Sequence, residues 1–292
     1  QWNVLKMYLL DTNIVSELRR TKPHSGVVAW IQSINESEFK GDKVLIAIGA
    51  SQETLDKITQ SGFIAVPKVS ISGNMFHMER FIHIYDYLRT HTDQYRFVIS
   101  TDVRDVIFQS DPIQFIEKQF EDWPSWPRLI AVSECIKIKN EHWNRNNIIK
   151  CFGDYFYKEI EDREVLNVGT LAGLEDTIRD LCGMLYQLSL NRADWVADQA
   201  AYNVLMNLVP YKDITHITGL NDGFCCNLHV TNKPIEKDHF APFITEKHPI
   251  FEHGLVKTAD GKPTGVIEPD FSDEIIDSAT ITHNGLKREK VK

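Results

Sequence analysis

The chain lacks any apolar run approaching the ~20 residues that a membrane-spanning helix needs, and no signal peptide stands at its start. Positive charge is also short: 32 Lys and Arg against 41 Asp and Glu leave a formal net charge of −9. A general basic face for nucleic acid is therefore not expected. The five cysteines (Cys135, Cys151, Cys182, Cys225 and Cys226) are odd in number and show no CxxC spacing. Neither a disulfide framework nor a zinc site is expected from them, and most read as reduced core thiols. There is no internal repeat and no low-complexity segment. These absences fit a cytoplasmic globular protein, with the Golgi lumen as the alternative if a targeting segment ahead of Gln1 has been trimmed.

What is present is ordinary in bulk and informative in order. The 292 residues, 42% hydrophobic and 25% charged, suffice for one large α/β domain. Val4 to Leu10 reads as a first strand ending at Asp11, with helices over Thr12–Arg20 and Gly26–Ile34. Val44–Ile48 is a strand that feeds a helix to Gln60, with Gly62 as its terminator and Phe63–Val66 as the next strand, closed by Pro67. Strand, helix, strand at this spacing predicts a parallel sheet. Met75 to Leu88 carries a helical apolar stripe with Asn74 as N-cap, and Phe97–Ile99 follows as a buried strand.

Helix over Ile113–Phe120, loop over Trp123–Pro127 and strand over Leu129–Val132 come next. Lys137 to Tyr157 is polar and aromatic without a clean period, which reads as a lid-like insertion. A strand over Val165–Val168, helices over Leu174–Leu190 and Asp198–Leu208, and short strands near Ile214–Ile217 and Asn227–Val230 complete the pattern. The expected fold is α/β, a Rossmann-type and mainly parallel sheet flanked by helices, with an irregular α+β C-terminal half.

The chemistry gathers around Arg96 to Pro112, RFVISTDVRDVIFQSDP. A buried strand ends there in Asp102 and Asp105 with Arg104 between them. Ligands of open α/β sheets collect outside the carboxyl ends of strands. Two neighbouring carboxylates repel unless a positive charge stands between them, and hard oxygen ligands suit Mg²⁺ or Mn²⁺ against a phosphate-bearing substrate. The bland alternative is a turn residue or a helix N-cap.

Three further stretches accompany it: LNVGTLAG (Leu166–Gly173), ADQAAYN (Ala197–Asn203) and ITHNGLK, with His283, Gly285 and Lys287. Glycine in the first permits close backbone approach. Alone, Asn167 and Gly169 also read as a strand-to-turn transition, Asp198 as an N-cap, and His283 as a solvated surface residue.

Taken in order, these motifs resemble the nucleotide-sugar glycosyltransferases of the GT-A fold, of the glycogenin and galactosyltransferase type, over roughly residues 40 to 290. The resemblance implies one domain over 1–292, with a first βα unit over 1–38, a nucleotide-binding half over 39–135 and an acceptor-side half over 136–292. It implies that Asp102 and Asp105 hold Mn²⁺ or Mg²⁺ against a donor diphosphate, with Asp102 alternatively contacting ribose or orienting Arg104. Here TDVRD spaces the acids as DxxD instead of DxD. His283 would supply a late metal ligand and Lys287 a phosphate contact, in a motif contracted to H-x-G-x-K.

Arg80, on the helix before the central strand, is the candidate for the diphosphate, since a planar cation suits it. Arg104, Asn167 and Gly169 complete the expected substrate-binding set. Asn167 and Gln199 would bond sugar hydroxyls or the acceptor, and Asp198 would orient the donor sugar or act as base toward the acceptor. The expected partners are a nucleotide-sugar donor and a glycan, lipid or protein hydroxyl acceptor.

The beginning points elsewhere. Met7 to Ser33, MYLLDTNIVSELRRTKPHSGVVAWIQS, resembles the start of the toxin-type PIN-domain ribonucleases, which implies metal-binding roles for Asp11 and Glu17. It reads either as a PIN fragment replacing the first βα unit or as an ordinary βα unit. The competing functions are accordingly a metal-dependent ribonuclease and a nucleotide-sugar-binding module without turnover.

Overall fold

The computed structural model of the chain describes residues 5–10, 41–71, 76–102, 106–122, 127–192, 196–227, 258–259 and 262–263. Four strands set its frame: β1 (Leu5–Leu10), β2 (Asp42–Ile48), β3 (Ile64–Lys68) and β4 (Tyr95–Thr101). They pair in parallel in the order β3-β2-β1-β4. On the other side of β4 lie β7 (Glu164–Leu174), β6 (Leu129–Lys137) and β8 (Thr215–Thr218), completing a seven-stranded sheet. β7 is antiparallel to both neighbours, and β6 and β8 are parallel to each other. All strands of this sheet but β7 therefore run the same way, and their carboxyl ends share one edge.

The continuous apolar runs of β2 and β4 have the composition of strands covered on both faces. Val44, Ala47, Phe97, Val98 and Ile99 are fully buried. Alternation sends β4 side chains into two cores. Val98 joins Phe81, Leu88, Ile178, Leu185 and Tyr202, contributed by α2 (Phe76–Thr90), α5 (Glu175–Ser189) and α6 (Ala197–Met206). Phe97 and Ile99 join Ile113 and Ile116 of α3 (Pro112–Asp122), with Phe224. A mainly parallel sheet flanked by helices is the expected α/β class.

Local chemistry accounts for the boundaries. Ser51 caps α1 (Gln52–Gln60), accepting the Thr54 N–H at 3.3 Å, and Gly62 adopts φ +80° behind it. β3 runs through Pro67 to Lys68 instead of closing at the proline. Among the described strands it stands at the sheet edge, where a missing N–H is tolerated. β5 (Val106–Phe108) pairs antiparallel with β9 (Cys225–Asn227), apart from the main sheet, and β10 (Thr258–Ala259) pairs with β11 (Lys262–Pro263).

Two expectations are corrected. The strand expected over Val165–Val168 continues through Asn167, Gly169 and Gly173 to Leu174, so LNVGTLAG is strand interior. The segment read as a lid-like insertion is a short 3₁₀ turn (Ile138–Asn140) followed by α4 (His142–Ile160), which packs Ile148, Cys151, Tyr157 and Ile160 into a core. Its period is hidden because Gly153 (φ +85°) breaks the helix into two phases, and because Asn144 and Asn147 are polar yet buried. The helices expected over Thr12–Arg20 and Gly26–Ile34, the Asn74 cap and Trp123–Trp126 of the loop lie outside the described residues. β1, from the PIN-like segment, lies between β2 and β4 as a first strand of the parallel sheet. Among the described residues no helix is long and apolar enough to cross a membrane.

Gly173 sits where β7 crosses both β4 and β6, opposite Val98 and Leu129. A Cβ there would collide with the Arg128 carbonyl oxygen and stand 3.1 Å from Leu129 Cα, both backbone atoms. Gly173→Ala is expected to lower the unfolding free energy by about 1–3 kcal/mol, as overpacking does. Urea unfolding followed by fluorescence measures it, and a wild-type midpoint would contradict this packing.

Candidate functional site

Asp102 is the first residue past β4, at the shared carboxyl edge. Its backbone N–H donates to the Gly169 carbonyl at 2.6 Å, the last rung between β4 and β7. Its carboxylate receives Arg80 Nη1 at 2.6 Å. Arg80 stands on α2 in a buried stretch, Met78 to Phe81, that seats the start of that helix against the sheet. The same guanidinium reaches Asp198 Oδ2 with Nη2 at 3.4 Å. One buried cation thus joins two acids that arrive on a strand end and on a helix start.

The burial of these groups differs usefully. The Asp102 side chain is 24% exposed, whereas those of Arg80 and Asp198 are 7% and 2% exposed. Asp198 is not the cap of α6: Val196 holds that position, and Asp198 turns inward to Arg80. Its Oδ1 is buried with no hydrogen-bond partner among the described residues. Beside the cluster, burial pushes the Cys182 thiol up to about 12, opposed by the Arg80 guanidinium. Cys182 is a neutral core thiol.

Next to Arg80, the fully buried Glu79 accepts from Ile71 N–H at 2.7 Å and Ser70 Oγ at 2.9 Å, and meets His83 Nε2 at 3.1 Å. It ties the loop behind β3 to α2, beside the site.

Gly169 lies under Asp102. A Cβ at Gly169 would stand 2.6 Å from both Asp102 Oδ2 and Asn167 Oδ1, so only glycine lets these two oxygens converge there. Asn167 Oδ1 accepts the Gly169 N–H at 2.7 Å, and its Nδ2 donates to Glu134 Oε1 at 2.9 Å.

The part of β7 that extends past β4 would be left with unpaired backbone groups, and α6 supplies what a strand would have. Gln199 Oε1 accepts the Val168 N–H at 2.9 Å and Asn203 Oδ1 the Leu166 N–H at 2.8 Å. The Leu166 carbonyl accepts from Gln199 Nε2 at 3.0 Å and Asn203 Nδ2 at 2.9 Å. Four residues apart, the two amides share one helix face. Gln199 Nε2 also lies 3.2 Å from Asn144 Oδ1, tying α4 to the same point.

The structure therefore brings Arg80, Asp102, Asn167, Gly169, Asp198 and Gln199 together at one edge. Arg80 is held by two carboxylates, and both polar atoms of Gln199 are bonded to the chain itself. Arg104, Asp105, His283 and Lys287, together with Asp11 and Glu17, lie outside the described residues. Sequence reasoning misses Glu134, Asn144 and Asn203. Glu134 has a visible signal, an acid inside the apolar run LIAVSEC, whereas buried asparagines leave none.

Among the described residues no group of three or more His, Cys, Asp or Glu converges to hold a metal ion. Asp102 fits as one hard oxygen ligand at the exposed side of the cluster, and a divalent cation needs further oxygens. No protein-family model and no curated protein matches the chain.

Arg80→Met leaves two acids facing each other, one of them buried. A loss of about 3–5 kcal/mol is expected, as for other broken buried pairs. Asp198→Asn in the same background should restore part of it, because the buried negative charge is then gone. Denaturant unfolding of the single and double variants measures both; independent effects would contradict the bridge. Gln199→Leu should cost about 1–3 kcal/mol by orphaning the Val168 N–H, read in the same experiment.

Proposed function

We propose that the chain is a metal-dependent glycosyltransferase of the GT-A type, moving a sugar from a nucleotide-sugar donor to a hydroxyl of a glycan, lipid or protein acceptor. The observation that carries this reading is the meeting of Asp102 and Asp198 on Arg80 at the carboxyl edge of a mostly parallel sheet, over a glycine that keeps the approach open. Such an edge is where open α/β sheets bind nucleotides.

In this reading Asp102, with Asp105 and His283, would hold Mn²⁺ or Mg²⁺. When bound, the cation neutralises charge developing on the departing nucleoside diphosphate. Arg104 and Lys287 are the cations proposed to face the phosphates. Arg80, enclosed between two acids, serves to hold them and to set the local field instead of contacting the diphosphate. Asp198 Oδ1 is buried as well as unengaged by any described group, so Asp198 would act on the donor sugar through Arg80 and Asp102. Closed from solvent and held by a guanidinium, Asp198 is better placed to orient the donor sugar than to take a proton from the acceptor. Asn167 and Gln199 support the backbone beneath the donor.

A thermal-shift panel of nucleoside diphosphates and nucleotide sugars, with and without Mn²⁺, tests this. One nucleotide should stabilise the protein only when Mn²⁺ is present, by about 2.7 kcal/mol at a hundredfold excess over its dissociation constant. The shift should vanish in Asp102→Ala and in Asp105→Ala. A protein that responds to none of the panel but loses RNA cleavage on Asp11→Ala would instead be the nuclease that the PIN-like start suggests.

A further inference from the structure

We infer that Glu134 is a positioning residue for the Asp102 cluster, acting through the side-chain amide of Asn167. Glu134 is 2% exposed in the middle of β6, a costly place for a carboxylate without a specific partner. Backbone geometry shows how it comes to point there. The β6–β7 register shifts between Ser133 and Lys137, and Cys135 adopts φ +57°, so the strand bulges at this acid. Bulges re-aim side chains, and they recur beside active sites.

The re-aimed carboxylate meets an amide that has two chemically different ends. As an acceptor, Glu134 Oε1 takes the Nδ2 end of Asn167 at 2.9 Å. That choice turns the Oδ1 end toward Gly169, whose N–H it accepts at 2.7 Å. The Gly169 carbonyl in turn accepts the Asp102 N–H at 2.6 Å. A chain of three hydrogen bonds thus runs from β6 to the backbone of Asp102. Turned over, the amide would put a donor where an acceptor now converges with Asp102 Oδ2 above Gly169. It would oppose the Gly169 N–H and compete for the Asp102 carboxylate. Glu134 keeps that donor away from the edge, and Asp102 keeps its acceptor character for an incoming cation.

The placement stands on geometry alone; what Asp102 receives rests on the transferase reading. The test uses the full chain, with Glu134→Leu, Glu134→Gln, Asn167→Asp and the double variant Glu134→Gln/Asn167→Asp. Three quantities are read: the melting temperature, the exchange rate of the Gly169 amide, and Mn²⁺ affinity by electron paramagnetic resonance of the free ion.

Glu134→Leu should speed Gly169 exchange and weaken Mn²⁺ by about tenfold or more, the usual cost of losing a group that orients a metal ligand. Glu134→Gln keeps an acceptor and should stay near wild type. Asn167→Asp sets carboxylate against carboxylate and should lower the melting temperature. Adding Glu134→Gln should restore most of it, since an amide on β6 then donates to the carboxylate introduced on β7.

Unchanged Gly169 exchange in Glu134→Leu, or an unrescued double variant, would overturn the inference. If Glu134→Leu does not fold, the Asn167→Asp pair decides alone. If the wild type binds no Mn²⁺, the transferase reading fails, while amide exchange and the double variant still decide the role of Glu134.

Discussion

Everything at the candidate site depends on one electrostatic arrangement, a buried guanidinium shared by two carboxylates. Bringing Asp102 and Asp198 to one point is unfavourable without a cation between them, and a buried ion pair holds only with good geometry. Arg80 supplies the cation from the start of α2, locked by flanking residues buried against the sheet. Because the acids come from β4 and α6, the bridge also sets how the α2, α5 and α6 layer sits on the sheet edge. The folding constraint and the candidate chemistry are the same contact.

Around that contact the chain replaces missing strand with side chains. β7 outruns β4, and Gln199 and Asn203 satisfy the exposed ladder of Leu166 and Val168 from one face of α6. This gives DQAAYN a physical sense. Asp198 faces the Arg80 bridge, and its neighbours fasten the helix to the strand carrying Gly169. Small displacements of α6 would therefore be felt at Asp102 through both the bridge and the Gly169 rung.

Much of the frame is legible in the sequence. The continuous runs at Val44–Ile48 and Phe97–Ile99 betray strands buried on both faces, and the stripes at Met75–Leu88 and Leu174–Leu190 match α2 and α5 within one or two residues. An acid at the end of β4, an acid at the start of α6 and a glycine needed for close approach are readable too. What cannot be read is who bonds to whom. Arg80 reads as a phosphate ligand, and the sequence does not show that two acids lie against it. Gln199 reads as a substrate contact, and the sequence does not show that its amide also completes a sheet edge. Glu134 hides in an apolar run, and Gly153 masks α4 by breaking its phase.

Under the proposed transferase reading, Asp102 marks a cation-assisted donor site. The most direct measurement is anion-exchange chromatography of the nucleotides after incubating the protein with Mn²⁺ and individual nucleotide sugars, following release of the nucleoside diphosphate. Release from one donor is expected, dependent on the divalent ion and abolished in Asp102→Ala while the protein remains folded. Release that persists in Asp102→Ala, or no release from any nucleotide sugar with any acceptor tried, would contradict it.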